Sequence, residues 1–198
     1  MIWNYQKMNW KNKVLTLTLI FIIGGLTSKT LLSKDRGYSM STIINGTKIK
    51  IDEFGQVDSH IYRGARPKEK EFKNLKAIGI STVIDLTDNT PKEKGYVEAA
   101  GMKYVNIPIK DKTAPNIFQI TEVLKALNST ETIFIHCAGG KHRTGIMIAV
   151  YRLEKYHYTF DQAYVEMKQY GFYSSSGHDK QLKFIQQYYK DNQPKVNL

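Results

Sequence analysis

Hydrophobic and polar positions along the chain predict strands that alternate with helices. Short apolar runs typical of buried strands occupy Ser81–Leu86, Met102–Ile107 and Thr132–His136. The segments between and after these runs carry apolar residues at helical spacing. Helices are predicted at Lys68–Ile78, Pro91–Ala100, Ile117–Leu127, Thr144–Lys155, Thr159–Tyr170 and about His178–Tyr189. This alternation predicts an α/β domain with a central, mostly parallel sheet flanked by helices.

Turn and cap signals mark several boundaries of these elements. Asn45-Gly46 is a two-residue turn signal in the middle of Thr42–Ile51, and it predicts a β-hairpin there. Ile61–Arg63 is a further short predicted strand. Thr159 and Gln162 have the spacing of a capping box, which fixes the predicted start of the helix that follows.

The first 38 residues differ in composition from the rest of the chain. Residues 1–34 contain no Asp or Glu, and three lysines precede the apolar run Val14–Leu26. A basic start followed by a short apolar stretch is typical of a secretory signal, and the run is shorter than the ~20 residues of a comfortable membrane span. Residues 1–38 are therefore expected to be a signal peptide, or an uncleaved membrane anchor through residues 14–26, plus a linker. A buried helix of the domain is the third interpretation.

The remaining residues, 39–198, are expected to form one globular domain. If residues 1–38 direct export, this domain is periplasmic, extracellular or tethered to a membrane. The chain has 198 residues, of which 41% are hydrophobic, and this is enough for a packed core. Its net charge of +11 favours polyanionic partners, although a basic surface also serves solubility alone. The single cysteine excludes an intramolecular disulfide, and no ligand spacing typical of a structural zinc site is present.

That cysteine stands at the junction between a predicted strand and a predicted helix. The junction reads His136-Cys137-Ala138-Gly139-Gly140-Lys141-His142-Arg143-Thr144-Gly145. Backbone N–H groups at a helix start form a cradle for anions, and the two glycines let the backbone approach an oxyanion closely. Arg143 can offer a bidentate fork to two phosphate oxygens. The same positive environment favours a Cys137 thiolate, because cysteine pKa values fall from about 8.5 to about 3.5–7.5 at such sites.

These residues predict a phosphate site with a nucleophile. Cys137 is the predicted nucleophile, and the hydroxyl of Thr144 is placed to donate to its sulfur. Substrate contacts are expected from the loop residues Ala138, Gly139, Gly140, Lys141 and His142. A Cys-x5-Arg spacing alone is a weak pattern, and the prediction depends on the strand before it and the helix after it. The alternative is a buried structural cysteine at a strand end, with Arg143 in solvent.

The sequence His-Cys-x5-Arg-Thr-Gly after an apolar strand resembles the protein tyrosine and dual-specificity phosphatase superfamily. The resemblance continues upstream through Ile61–Pro67, Gly79–Leu86 and Val105–Pro108, and is greatest to compact bacterial dual-specificity-like and inositol-phosphate phosphatases. It implies the cysteine-phosphatase fold and a cysteinyl-phosphate intermediate. It further implies no metal, no cofactor, and a general-acid Asp on a loop upstream of the cysteine.

Three aspartates are candidates for that acid. Asp111 follows the strand that ends at Ile107, on a loop that leaves the same sheet edge as Cys137, and it is the preferred candidate. Asp85 and Asp88 also lie at the carboxyl end of a strand, and Asp85 is the second choice. Basic residues from a further loop, Arg63 and Arg66, are expected to line the phosphate site.

The expected partner is a phosphorylated substrate, either a phosphoprotein or an inositol phosphate, and no nucleic acid is expected. Lys141 in the loop, with Lys110 and Lys112 beside Asp111, favours highly anionic substrates such as inositol phosphates or phosphoinositides. A general phosphotyrosine phosphatase is the alternative. More remote alternatives are a rhodanese-like or arsenate reductase-like enzyme and an inactive phosphate-binding module. Reductases of this type need further cysteines to resolve the intermediate, and this chain has only one cysteine.

Overall fold

The computed structural model describes residues 42–88 and 91–192. The strands of this part of the chain are β1 (Thr42–Ile44), β2 (Thr47–Ile49), β3 (Gly55–Gln56), β4 (Ile61–Ala65), β5 (Thr82–Asp85), β6 (Lys103–Asn106) and β7 (Ile133–Cys137). The helices are α1 (Glu69–Ala77), α2 (Pro91–Ala99), α3 (Ile117–Leu127), α4 (Arg143–Tyr156), α5 (Phe160–Gln169) and α6 (Asp179–Asp191). All the elements predicted from the pattern within these residues are therefore present, with ends that shift by one or two residues.

The main sheet has five strands in the order β3-β4-β7-β5-β6. Strands β4, β7, β5 and β6 run parallel, and only the two-residue β3 is antiparallel to its neighbour. The predicted α/β class with a mostly parallel sheet is confirmed, while β3 was not predicted because two residues carry no periodic signal. β7 lies at the centre, so the strand that leads into the cysteine loop is paired on both sides.

Helices cover both faces of this sheet. The side chains of β7 alternate, so that Ile133 and Ile135 join the core under helices α3 to α6, while Phe134 joins the core on the other face. That second core contains the apolar residues of α1 and α2, together with Ile49 of the hairpin. A strand with both faces buried reads as a continuous apolar run, which is why Thr132–His136 was recognisable in the sequence.

Local signals place the ends of several elements. The β1–β2 turn has positive φ at Asn45 (47°) and Gly46 (79°), as a tight hairpin of this kind requires. Thr159 and Gln162 form the predicted capping box at α5, and Asn116 with Gln119 forms a second one at α3.

The predicted signal peptide or anchor, residues 1–38, lies outside the described residues. Within residues 42–88 and 91–192, no helix is long and apolar enough to cross a membrane.

Candidate active site

The candidate site lies where β7 passes into α4. Cys137 is the last residue of β7, pairs in register with Ala65 of β4, and is almost fully buried. Arg143 is the first residue of α4, so the five residues between them turn the chain from the strand into the helix N-terminus. In a parallel sheet of this kind, ligands bind beyond the carboxyl ends of the strands, and the structure places the nucleophile candidate at that edge.

One glycine of the loop is required by its close contact with β4. Gly140 has φ of +67°, and a Cβ built there would lie 2.5 Å from the amide nitrogen of Ala65 and from the carbonyl carbon of Gly64. Its neighbour Gly139 is solvent-exposed, and a Cβ there would meet nothing within 4 Å. The loop is therefore packed against β4 at Gly140 and open to solvent at Ala138 and Gly139.

Arg63 supports this loop from behind. Its side chain has 0% exposure, donates a hydrogen bond from Nη2 to the Gly140 carbonyl at 2.7 Å, and stacks over the ring of Tyr170 at 3.9 Å. Burial lowers the pKa of Arg63 to about 10, so the guanidinium remains charged at neutral pH. The prediction that Arg63 contacts substrate is corrected here, because a side chain enclosed on all sides cannot reach a ligand.

Arg143 brings two of the candidate acids together. Its buried guanidinium donates from Nη1 to the carbonyl of Ile109 at 3.2 Å. Nη1 also lies 3.6 Å from Asp88 Oδ1, and Nη2 lies 3.7 Å from Asp111 Oδ1. Its Nε is buried, and among the described residues no group accepts a hydrogen bond from it. Because a planar guanidinium can donate two parallel hydrogen bonds, Arg143 can hold a phosphate in a bidentate manner.

Asp85, the second choice for the acid, has a different environment. Its carboxylate is fully buried and accepts hydrogen bonds from the amide and hydroxyl of Thr87, at 2.8 and 2.6 Å, and from Tyr104 Oη at 2.9 Å. These contacts connect the end of β5 to the residues that follow it and to β6. Asp85 is therefore a structural carboxylate, and the choice of an exposed acid narrows to Asp111 and Asp88.

Thr144 and Lys141 differ in burial and in their contacts. The hydroxyl of Thr144 is buried, and no described residue forms a hydrogen bond with it. Lys141 is partly exposed, with Nζ 3.7 Å from Glu53 Oε1.

The His142 ring packs against the segment that follows α5. Its Nε2 lies 3.1 Å from the carbonyl of Tyr173, and its ring stacks on His178 with centroids 3.5 Å apart. Burial and the neighbouring His178 lower the pKa of His142 to about 4. These contacts hold the His142 side chain, and its contact with substrate stays a prediction.

A buried contact between His136 and Glu93 was not predicted. His136 Nε2 lies 2.6 Å from Glu93 Oε1 of α2, and Arg66 Nε lies 3.2 Å from the other oxygen of Glu93. Glu93, Asp85 and His136 offer ligand atoms within 4.8 Å of one another. No sequence pattern indicates this arrangement, because a glutamate in the first turn of a helix normally faces solvent.

Comparison with known proteins identifies the class to which this fold and site belong. Residues 57–187 match the family model described as Swiss Army Knife protein, DSP-PTPase phosphatase domain (PTP-SAK). The chain therefore belongs to this family of dual-specificity-type tyrosine phosphatase domains, as the cysteine loop predicted.

Two of the relatives carry the names of a tyrosine phosphatase and an inositol diphosphatase. The putative tyrosine phosphatase 197R of Invertebrate iridescent virus 6 is 28% identical over 43% of this chain and 36% of its own length. The inositol diphosphatase DSP3 of Arabidopsis thaliana is 31% identical over 50% of this chain and 53% of its own length. The chain thus spans about half or less of these two curated relatives.

A solved structure has the same fold. The catalytic core of the PP-IP phosphatase SIW14 from S. cerevisiae, in complex with citrate, superposes with a TM-score of 0.60 at 22% identity. The match covers 76% of this chain and 91% of that one. The predicted cysteine-phosphatase fold is confirmed.

Proposed function

We propose that this chain hydrolyses phosphate monoesters through a cysteinyl-phosphate intermediate on Cys137. The observation that carries the proposal is the convergence of Cys137, Arg143 and Asp111 at one sheet edge, with the guanidinium of Arg143 3.7 Å from the Asp111 carboxylate. A nucleophile, an anion clamp and a proton donor are the three groups that such a transfer needs. All three come from the chain's own side chains.

The reaction proceeds in two steps. In the first, the Cys137 thiolate attacks phosphorus, the bond from phosphorus to the leaving oxygen breaks, and the Asp111 carboxyl gives its proton to that oxygen. In the second, water attacks the cysteinyl phosphate, its proton passes to the Asp111 carboxylate, and the S–P bond breaks to release inorganic phosphate and the thiolate. Arg143 and the loop amides hold the phosphoryl oxygens throughout.

The Thr144 hydroxyl has a role in the same cycle. Because it is buried without a hydrogen-bond partner among the described residues, it is available to donate to the Cys137 sulfur. Such a bond stabilises the thiolate both as a nucleophile and as a leaving group.

Trapping the intermediate tests the proposal. Acid quenching during turnover, followed by peptide mass spectrometry, should find a phosphoryl group on the peptide that contains Cys137. Cys137→Ser should show no adduct and no turnover but should retain phosphate binding. Full activity in Cys137→Ser, or loss of wild-type activity with a metal chelator, would contradict this mechanism.

For the substrate we propose highly anionic phosphomonoesters such as inositol polyphosphates. Lys110 and Lys112 flank Asp111, Lys141 lies in the phosphate loop, and the net charge of +11 adds a long-range attraction. The inositol diphosphatases among the relatives support the same class. A phosphotyrosine protein is the second candidate, which the tyrosine phosphatase relatives favour.

The two substrate classes are separated by kcat/KM for an inositol polyphosphate and for a phosphotyrosine peptide. Lys141→Ala should reduce the value for the polyphosphate more, by an excess of about fivefold or greater, because it removes a charge-assisted contact. The matched control is Lys125→Ala. Lys125 is exposed in the last turn of α3, whose end at Leu127 contacts His60 at the opposite edge of the sheet. Equal losses on both substrates favour the phosphotyrosine assignment.

We further propose that residues 1–38 direct export, so that the catalytic domain of residues 39–198 acts outside the cytoplasm or on a membrane. The lysine-rich start and the apolar run Val14–Leu26 motivate this. A fusion of residues 1–40 to a reporter active only after export tests it. A silent reporter contradicts export, and the size of the exported product tells a cleaved signal from a retained anchor.

A further inference from the structure

The segment between α5 and α6 lies between the cysteine loop and the loop that carries Asp111. On one side, His142 of the cysteine loop contacts the Tyr173 carbonyl at 3.1 Å and stacks on His178 with an interplanar angle of 9°. On the other side, Gln181 of α6 donates from Nε2 to the carbonyl oxygen of Thr113 at 3.1 Å. Thr113 is two residues beyond Asp111. The segment and the start of α6 therefore link the cysteine loop to the loop that carries Asp111.

The side chain of Gln181 makes a hydrogen bond to the acid loop. Gln181 is fully buried, and its Oε1 lies 2.8 Å from Nδ1 of His178. The Thr113 carbonyl can only accept, so the amide must present its NH₂ to Thr113 and its oxygen to His178. His178 Nδ1 therefore carries the proton in this contact. The chain of contacts runs from His142 through His178 and Gln181 to Thr113.

Gln181 acts on a tight turn. The hydroxyl of Thr113 donates to the Lys110 carbonyl at 2.7 Å, and Lys112 between them has a positive φ of 59°. The side chain of Lys112 also packs over Gly177, where an added Cβ would come within 3.2 Å of it. Asp111 is exposed within this turn, so its place beside Arg143 depends on what holds the turn at Thr113.

We propose that Gln181 is a positioning residue for the general acid, holding Asp111 beside Arg143 through the Thr113 carbonyl, with the His142–His178 stack tying that turn to the cysteine loop. This inference rests on the proposed role of Asp111. Nothing in the sequence pointed to Gln181, because a glutamine in the first turn of an amphipathic helix is usually a surface residue.

The test uses the dependence of the rate on the leaving group. A general acid matters most when the departing oxygen is a poor anion, so a misplaced acid affects alkyl phosphates and spares aryl phosphates with a nitro group. Gln181→Met keeps the side-chain length but cannot donate to Thr113. It should lower kcat for an alkyl phosphate by about tenfold and change kcat for p-nitrophenyl phosphate by less than about twofold.

Two controls separate this role from a merely structural one. Gln187→Met alters an exposed glutamine of the same helix, bonded to Asp191, and should leave both rates unchanged. In the double variant Asp111→Asn/Gln181→Met, the alkyl phosphate rate should equal that of Asp111→Asn alone, because the acid is already absent. If Gln181→Met does not fold, His178→Phe preserves the stack on His142 but cannot donate to Gln181, and it should show the same selective loss.

The outcomes distinguish this inference from the proposed mechanism. A selective loss in Asp111→Asn without one in Gln181→Met or His178→Phe overturns the positioning role and leaves the mechanism intact. Equal loss on both substrates in these two variants also overturns it, since general destabilisation does not discriminate between leaving groups. If Asp111→Asn shows no selective loss, the assignment of the acid fails and the role of Gln181 fails with it.

Discussion

Arg63 holds the carbonyl oxygen of Gly140 with a hydrogen bond of 2.7 Å, donated from a guanidinium with no solvent exposure. Arg63 belongs to β4 and Gly140 to the cysteine loop, so the bond fixes the loop to the strand beside β7. A carbonyl turned back toward β4 leaves the loop amides free to face a bound anion, which is the arrangement that an oxyanion cradle needs. The support behind the loop is therefore as much a part of the site as the residues facing the phosphate.

The two adjacent loop glycines should respond differently to alanine. Gly140→Ala should lower kcat and phosphate affinity strongly, by about 100-fold or more, because the new Cβ would collide with the backbone of β4 and the residue would be strained at φ +67°. Gly139→Ala is the matched control, with open space around its Cβ. Steady-state kinetics and phosphate binding measure both. Similar behaviour of the two variants would contradict the packing described here.

Replacing Arg63 should loosen the loop while sparing the groups that face the substrate. Arg63→Lys keeps the charge but cannot both donate to Gly140 and stack on Tyr170, so phosphate affinity should fall by about tenfold. Arg152→Lys is the control, because Arg152 is another largely buried guanidinium, whose hydrogen bonds go to Glu166 and to the Val57 carbonyl rather than to the cysteine loop. It should alter thermal stability but leave phosphate affinity unchanged. Unchanged affinity in Arg63→Lys would count against its supporting role.

The two carboxylates near Arg143 should differ in their effect on catalysis. Asp111→Asn should lower kcat by roughly 100- to 10,000-fold, the usual range for a general acid, and the loss should shrink for leaving groups that are already good anions. Asp88→Asn, which lies at a similar distance from the guanidinium, should change kcat much less. The reverse order would move the acid assignment to Asp88.

Arg143 should not tolerate replacement by lysine. An ammonium cannot present the fork that holds two phosphoryl oxygens, so Arg143→Lys should lose most of the activity and weaken phosphate binding. The contact with the Ile109 carbonyl would also be altered. Isothermal titration with phosphate, alongside kcat, measures both effects, and near wild-type values would exclude bidentate binding by Arg143.

Stability should fall in mild acid because of His142. Its pKa is lowered to about 4 by burial and by His178, whereas an exposed histidine has a pKa of about 6.5. Between these values the unfolded chain binds more protons than the folded one, so the free energy of unfolding decreases as the pH falls from about 6.5 toward about 4. His142→Phe keeps a ring on His178 but does not titrate. Urea unfolding across this range should show a steeper fall in wild type than in the variant, and parallel curves would contradict the expectation.

Much of the fold could be predicted because its signals are local. Apolar runs and helical stripes gave the strands and helices, and Asn45-Gly46 and Thr159 gave a turn and a helix start. The placement of Cys137 and Arg143 in one site could be predicted for the same reason, because one strand, one short loop and one helix N-terminus position both residues. These features depend only on neighbours along the chain.

The sequence by itself thus determined the class of fold and the candidate nucleophile with its arginine, but the tertiary structure decided which distant side chains join them. The packing of β4 against β7 buries Arg63 behind the loop, although the sequence offered it as a substrate contact. The strand order places Asp111 beside Arg143, and it buries Asp85 among hydrogen-bond donors at the end of β5. The contact of Gln181 with Thr113 likewise depends on where α6 docks. Such contacts depend on strand order, register and helix docking, which no local periodicity encodes.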